Sequence, residues 1–335
     1  MHRRLKALVT APLVATMCAA GLATASGASG GTVNVVGYST ISAGYTALET
    51  AFQATAAGQG VTFTNSFGAS GTQAQDVVAG QPADVVNFSL IPDMDTVVSA
   101  GLVPRKWQTN KISAAEDGFV ADSTVVIVVR KGNPLNITGW SNLIDSGVQI
   151  VTPDPISSGS AKWNLLAAYY YEILLGKRTQ VAHTFLNKVI GNTVAEPSSG
   201  SKALSTFLAG TGNVLLAYES DAQEALAKGS AIQIVYPQQN ILIQTPAALT
   251  NTGTSNPAAV AFFKYLFSPA GQAILVAQDY RSTLPSTKSS LNKVFYNPKK
   301  FVTIASMGGW SKLWSQFFGT TGLFTRIENA HGFTS

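Results

Sequence analysis

The sequence predicts an α/β protein of two lobes with a cleft between them. Short runs rich in Val and Ile, mostly apolar on both faces, alternate with amphipathic helical patterns along almost the whole chain, as strands and helices of covered parallel sheets do. The 335 residues exceed the roughly 100–200 of one ordinary domain. One local design also recurs three times, a strand followed by a Ser-Gly turn and a helix. The turns are Gly68-Ala69-Ser70-Gly71, Ser157-Ser158-Gly159-Ser160 and Ser198-Ser199-Gly200-Ser201, with a weaker version, Tyr38-Ser39-Thr40-Ile41-Ser42, after the first strand.

In chain order, residues 1–25 read as a secretory signal. Arg3, Arg4 and Lys6 form its basic start, residues 7–23 its apolar stretch, and Ala23-Thr24-Ala25 its small-residue cleavage site, with cleavage as late as Ala28 the alternative. Strands are expected at 33–38, 61–65, 84–89, 123–130, 148–152, 214–218, 232–236 and 241–245. Tyr45, Leu48 and Phe52 mark one helix face, and Ala74, Val77 and Val78 a short helix stopped by Gly80. Trp163, Leu166, Tyr170 and Leu174 mark a longer helix stopped by Gly176, and Val181, Phe185 and Val189 the next. Asn256-Pro257 caps a run to Phe267, and Pro269 restarts it. The strand at 123–130 and that at 241–245 are the expected crossings between lobes. Lobe I is then 32–122 plus 243–335, and lobe II is 123–242. Leu313, Trp314, Phe317 and Phe318 predict a docked helix in the tail.

Composition excludes several functions. The one cysteine, Cys18, falls inside the signal, so the mature chain has no disulfide, thiolate metal site or cysteine nucleophile. Without Arg3, Arg4 and Lys6 the balance is 19 basic against 17 acidic residues, and no basic run interleaved with aromatics points to nucleic acid. No metal or cofactor motif is present. Charged residues make up only 12%, so recognition is expected to rest on uncharged donors.

The Ser-Gly turns supply such donors. The first turn of a helix leaves N–H groups without partners and carries partial positive charge. Small residues there let an anion reach the backbone. Ser is also an ordinary N-cap, which explains any single turn; three at strand-to-helix junctions point to a joint oxyanion site at the carboxyl ends of the strands. Catalysis lacks a base. His183 lies mid-helix and His331 in the tail, no nucleophile elbow occurs, and only Lys162 or Lys202 stands near a candidate serine. A serine hydrolase using Ser70 or Ser158 is therefore the rival from another class. None of the turns holds Asp or Glu in its Ser-Gly core. That favours fully ionised sulfate, which only accepts hydrogen bonds, over a protonated anion such as hydrogen phosphate, which needs an acceptor.

The stretch Val151-Thr-Pro-Asp-Pro-Ile-Ser-Ser-Gly-Ser-Ala-Lys-Trp-Asn164 resembles the T-P-N-P-x-S-S-G-G-A-R-W-N run of the periplasmic sulfate-binding proteins of ABC importers. The likeness extends to Ser66-Phe-Gly-Ala-Ser-Gly71, Lys131-Gly-Asn-Pro134, Tyr265-Leu-Phe-Ser-Pro-Ala-Gly271 and Gly308-Gly309-Trp310. The resemblance implies the type II periplasmic binding fold and a monomeric, periplasmic or secreted receptor that hands sulfate (or thiosulfate) to a membrane permease. It implies a Ser158 hydroxyl donor and backbone N–H donors from Gly159, Ser160, Ser70, Ser39 and Gly200. Tyr218 stands where many members place a donor Trp. Ser160 replaces a glycine, Lys162 an arginine, and Ser201 the arginine common after the Gly200 position.

Overall fold

The structure is a computed structural model that describes residues 30–333; the expected signal and its cleavage sites lie outside the described residues. The first half runs β1 (Thr32–Tyr38), α1 (Ser42–Gln53), β2 (Thr62–Gly68), α2 (Ser70–Val78), β3 (Val85–Asn87), α3 (Ile91–Ser99), β4 (Phe119–Arg130), β5 (Ile150–Val151), α4 (Gly159–Leu174) and α5 (Thr179–Gly191). It continues with β6 (Thr193–Ala195), α6 (Gly200–Leu208), β7 (Val214–Tyr218), α7 (Glu219–Ala227), β8 (Ile232–Val235) and β9 (Gln239–Leu249). Last come α8 (Asn251–Thr254), α9 (Pro257–Leu266), α10 (Pro269–Ala277), α11 (Lys288–Leu291), β10 (Lys300–Val302), α12 (Trp310–Leu313) and α13 (Leu323–Ala330).

The strand order is β2-β1-β3-β9-β4-β7-β5-β6, with β8 on β4 and β10 on β9. β1 lies parallel to β2 and β3, and β5 parallel to β6 and β7. The two crossing strands depart from the all-parallel expectation. β4 pairs antiparallel with β9 through residues 119–124, then with β7 and β8 beyond Val125. β9 returns antiparallel to β4 and then to β3. Both run longer than expected because pairing to two different sheets needs more residues than one sheet's width.

Alternation explains why β4 and β7 are almost wholly apolar. Val125, Ile127 and Val129 point into one buried cluster, and Val126 and Val128 into another. On β7, Val214, Leu216 and Tyr218 join the first cluster, and Leu215 and Ala217 the second. Side chains of a strand point alternately to opposite faces, so a sheet covered on both sides leaves no polar face. Among the helices α4 is the most enclosed, buried continuously from Gly159 to Tyr169. The expected caps form: Asn256 Oδ1 accepts from the N–H groups of Ala258 (3.1 Å) and Ala259 (3.4 Å), and Ser268 Oγ from Gly271 N (3.0 Å).

The tail, grouped by sequence with lobe I, packs from Lys300 onward on helices of the 123–242 segment. Trp310 meets Trp163 edge-on at 5.0 Å, Phe317 meets Tyr169 at 4.8 Å, and Lys300 Nζ donates to Leu174 O at 2.6 Å. Apolar area decides this: Leu313 and Phe317 are fully buried there. The docked helix expected in the tail is present, as α12 and the turn that continues it.

Candidate anion-binding site

α2 begins at Ser70, α4 at Gly159 and α6 at Gly200, each directly after a strand or a short turn. Among the described residues no backbone carbonyl pairs with the N–H of Ser70, Gly159, Ser160 or Gly200. The helix starts lie against one another and against the ends of β1 and β3. A Cβ on Gly200 would stand 2.7 Å from Thr40 Cγ2 and 3.0 Å from Ser160 Oγ; one on Gly159 would stand 2.5 Å from Ser89 Cβ. Close approach thus requires glycine at both positions. Ser201 N donates to Ser39 Oγ at 3.3 Å, and Gly71 N to Ser157 O at 3.0 Å. All seven residues singled out in the sequence (Ser39, Ser70, Ser158, Gly159, Ser160, Gly200 and Tyr218) fall in this one network.

The hydroxyls separate capping from other work. At α6 the ordinary reading holds, since Ser199 Oγ caps the helix by accepting from Lys202 N at 3.3 Å. At α4 it fails. Ser158 occupies the N-cap yet makes no capping bond; its Oγ lies 2.8 Å from Ser160 Oγ, and both side chains are buried. Two hydroxyls sharing one bond keep one O–H proton for an outside acceptor. Ser70 Oγ is fully engaged, donating to Asp93 Oδ2 at 2.5 Å and accepting from Ser89 N at 2.9 Å. Only its backbone N–H is left for a ligand. Tyr218 OH lies 2.6 Å from Ser89 Oγ, and burial pushes this phenol far above its ordinary pKa, so it stays protonated.

Asp93 and Lys162 stand behind the helix starts. Asp93 is buried, and its carboxyl is pushed up by that burial, partly countered by Lys162 and the Ser70 bond. Lys162 is pulled down by burial, countered by Asp93 and Asp154. Asp93 and Ser89 escaped the sequence reading because neither sits in a Ser-Gly turn. The available signal was Ser89 itself, a serine closing a strand just ahead of a helix, α3, that no glycine announced. Asp154 makes a turn, accepting from Ile156 N (2.7 Å) and Ser157 Oγ (2.8 Å). Glu219 accepts from Arg281 Nε at 2.8 Å in a buried pair.

The geometry gives the hydrolase reading no support. Ser158 faces another serine, and Ser70 a carboxylate without an intervening imidazole. His183 lies on α5 against Tyr169, and His331 follows α13 with Nε2 3.3 Å from Asn187 Oδ1. Among the described residues no cluster of His, Cys, Asp and Glu could hold a metal, and no single helix is long and apolar enough to cross a membrane.

Helix starts whose neutral donors gather at one buried place suit a small oxyanion. Residues 33–281 match the family described as bacterial extracellular solute-binding protein, and the chain belongs to that family. Within it, the chain is 32% identical over 335 residues to the sulfate-binding protein of Synechococcus elongatus, covering 97% of this chain and 95% of the relative. It is 34% identical to that of Escherichia coli K12, covering 81% and 84%. The solved structure of the sulfate-binding protein SubI from Mycobacterium tuberculosis superposes with a TM-score of 0.81 at 36% identity, covering 86% of this chain and 99% of that one.

Proposed function

We propose that this chain is a non-catalytic sulfate receptor that acts as a monomer outside the cytoplasm and passes its ligand to the permease of an ABC importer. The observation that carries the reading is Ser158, a buried N-cap serine whose hydroxyl declines its own helix and pairs with Ser160 instead. Sulfate would take that pair's free proton and the N–H groups of Ser39, Ser70, Gly159, Ser160 and Gly200. The sulfate-binding relatives and the absence of an imidazole at the site support the same reading. Residues 1–25 would be removed as a signal, with Ala28 the latest cleavage point. The lobes would divide at 122/123 and 242/243, with the tail from Lys300 riding on lobe II.

Titration calorimetry of the mature chain with sulfate, thiosulfate and phosphate tests the proposal. Tight 1:1 binding of sulfate, with phosphate much weaker, is expected. No heat with sulfate at micromolar protein, or tighter binding of phosphate, overturns it.

A further inference from the structure

Resting on that reading of the cleft, we infer that Ser89 and Tyr218 form a latch between the lobes, and that the Tyr218 hydroxyl serves closure rather than contacting the anion. Ser89 ends the β3 side and Tyr218 ends β7, so their 2.6 Å bond crosses from one segment to the other. Both side chains are buried, at 1% and 0% exposure, and neither hydroxyl has another partner among the described residues.

Ser89 is held on every side. Its N–H donates to Ser70 Oγ at 2.9 Å, and its carbonyl accepts from Trp163 Nε1 at 2.8 Å. The absent Cβ of Gly159 lets α4 press against its side chain. Tyr218 is steadied by the Tyr38 ring, edge-on at 6.2 Å, which reaches it from the end of β1. A hydroxyl fixed this firmly at one place has little freedom to follow a ligand. Its partner across the cleft is reached only when the two strand ends meet. Opening the cleft exposes both groups to water, so their bond stabilises the closed form alone. The bond therefore acts on ligand release, where most affinity differences within one interface arise.

Sulfate binding to the wild type, Ser89→Ala, Tyr218→Phe and the double variant tests this by titration and stopped-flow release. A latch predicts that each single variant weakens binding roughly 2- to 10-fold, as one neutral hydrogen bond does. The loss should sit in the off-rate, and the double variant should be no weaker than either single one. Melting of the ligand-free singles should fall by no more than one neutral hydrogen bond accounts for, and by the same amount in the double variant. If Tyr218→Phe alone costs more than that and Ser89→Ala costs nothing, Tyr218 touches the anion and the latch is wrong; two silent variants also overturn it. A wild type that binds no sulfate sinks the receptor reading only. The latch is then judged by small-angle scattering, where a larger radius of gyration in the double variant supports it and an equal radius refutes it.

Discussion

Truncating Ser158 to alanine removes one hydroxyl from the centre of the site and leaves every backbone donor in place. Its Oγ is buried and 2.8 Å from Ser160 Oγ, and it caps nothing, so the helix loses no terminal bond. The wild-type pair has two protons, one shared and one free. In Ser158→Ala the Ser160 hydroxyl keeps its own proton, but that proton now starts from a different position and without a polarising neighbour. A hydrogen bond to a charged partner contributes about 1.5–3 kcal/mol, which corresponds to a roughly 10- to 150-fold rise in Kd. Calorimetry against sulfate at constant ionic strength reads this directly, and thermal melting of the ligand-free variant provides the control. Affinity within twofold of wild type would remove Ser158 from the ligand shell. A large fall in ligand-free melting temperature would instead mean that the hydroxyl holds the fold.

Other expectations follow from the same geometry. In Gly200→Ala the added carbon meets Thr40 Cγ2 at 2.7 Å and Ser160 Oγ at 3.0 Å; closure then costs about 1–3 kcal/mol, and wild-type sulfate affinity by calorimetry would contradict this. Phe317→Ala removes a fully buried ring packed on Tyr169 and costs about 3–5 kcal/mol, visible as a lower urea midpoint; an unchanged midpoint would mean the tail is not docked. Glu196, just before the α6 turn, and Glu328 on α13 are pushed up to about 9 and about 7. Burial comes first, then for Glu196 the Glu328 charge, and for both the charge of Asp154. Raised folded-state values mean that the stability these carboxyls provide is complete below the ordinary carboxyl range and lost as pH rises through neutrality. Glu328→Gln, which keeps the shape of the protonated form, should therefore melt higher than wild type near about pH 8 and close to it near about pH 4.5; a variant that melts lower at both would show that the charge is not the cost.

Much of the fold was legible because periodicity is a local property. Val125 to Val129 announce a strand buried on both faces whichever sheet receives it, and Asn256-Pro257 announces a helix start from two residues. Direction was not legible. β4 runs antiparallel to its neighbours, and β9 to β3 and β4, because the chain crosses between lobes there, and that depends on pairing between residues over a hundred positions apart. The packing of the tail was not legible for a similar reason, since the apolar face of Leu313 and Phe317 shows that something covers it but not which helix does. At the site, turn chemistry pointed to helix starts that the fold brings together. Asp93 stayed hidden because only the folded chain brings it 2.5 Å from Ser70.

The positions of the charges explain how a site of neutral donors can still discriminate. Asp93, behind the helix starts, accepts the Ser70 hydroxyl and faces Lys162, so it has no need of a proton from a ligand. Lys162 in turn is divided between Asp93 and Asp154. Neither charge is left uncompensated to meet the anion as a partner of fixed sign. In the proposed shell, what would meet it is the N–H groups of Ser39, Ser70, Gly159, Ser160 and Gly200 and the outward proton of the Ser158 and Ser160 pair. A fully ionised tetrahedral oxyanion satisfies all of these as an acceptor. An oxyanion that keeps a proton brings a donor, and in a shell of backbone N–H groups that donor loses its hydrogen bond to water with only the hydroxyl lone pairs in exchange. Discrimination of this kind comes from the protonation state of the ligand, so it should follow the ligand's own titration rather than that of any side chain in the cleft.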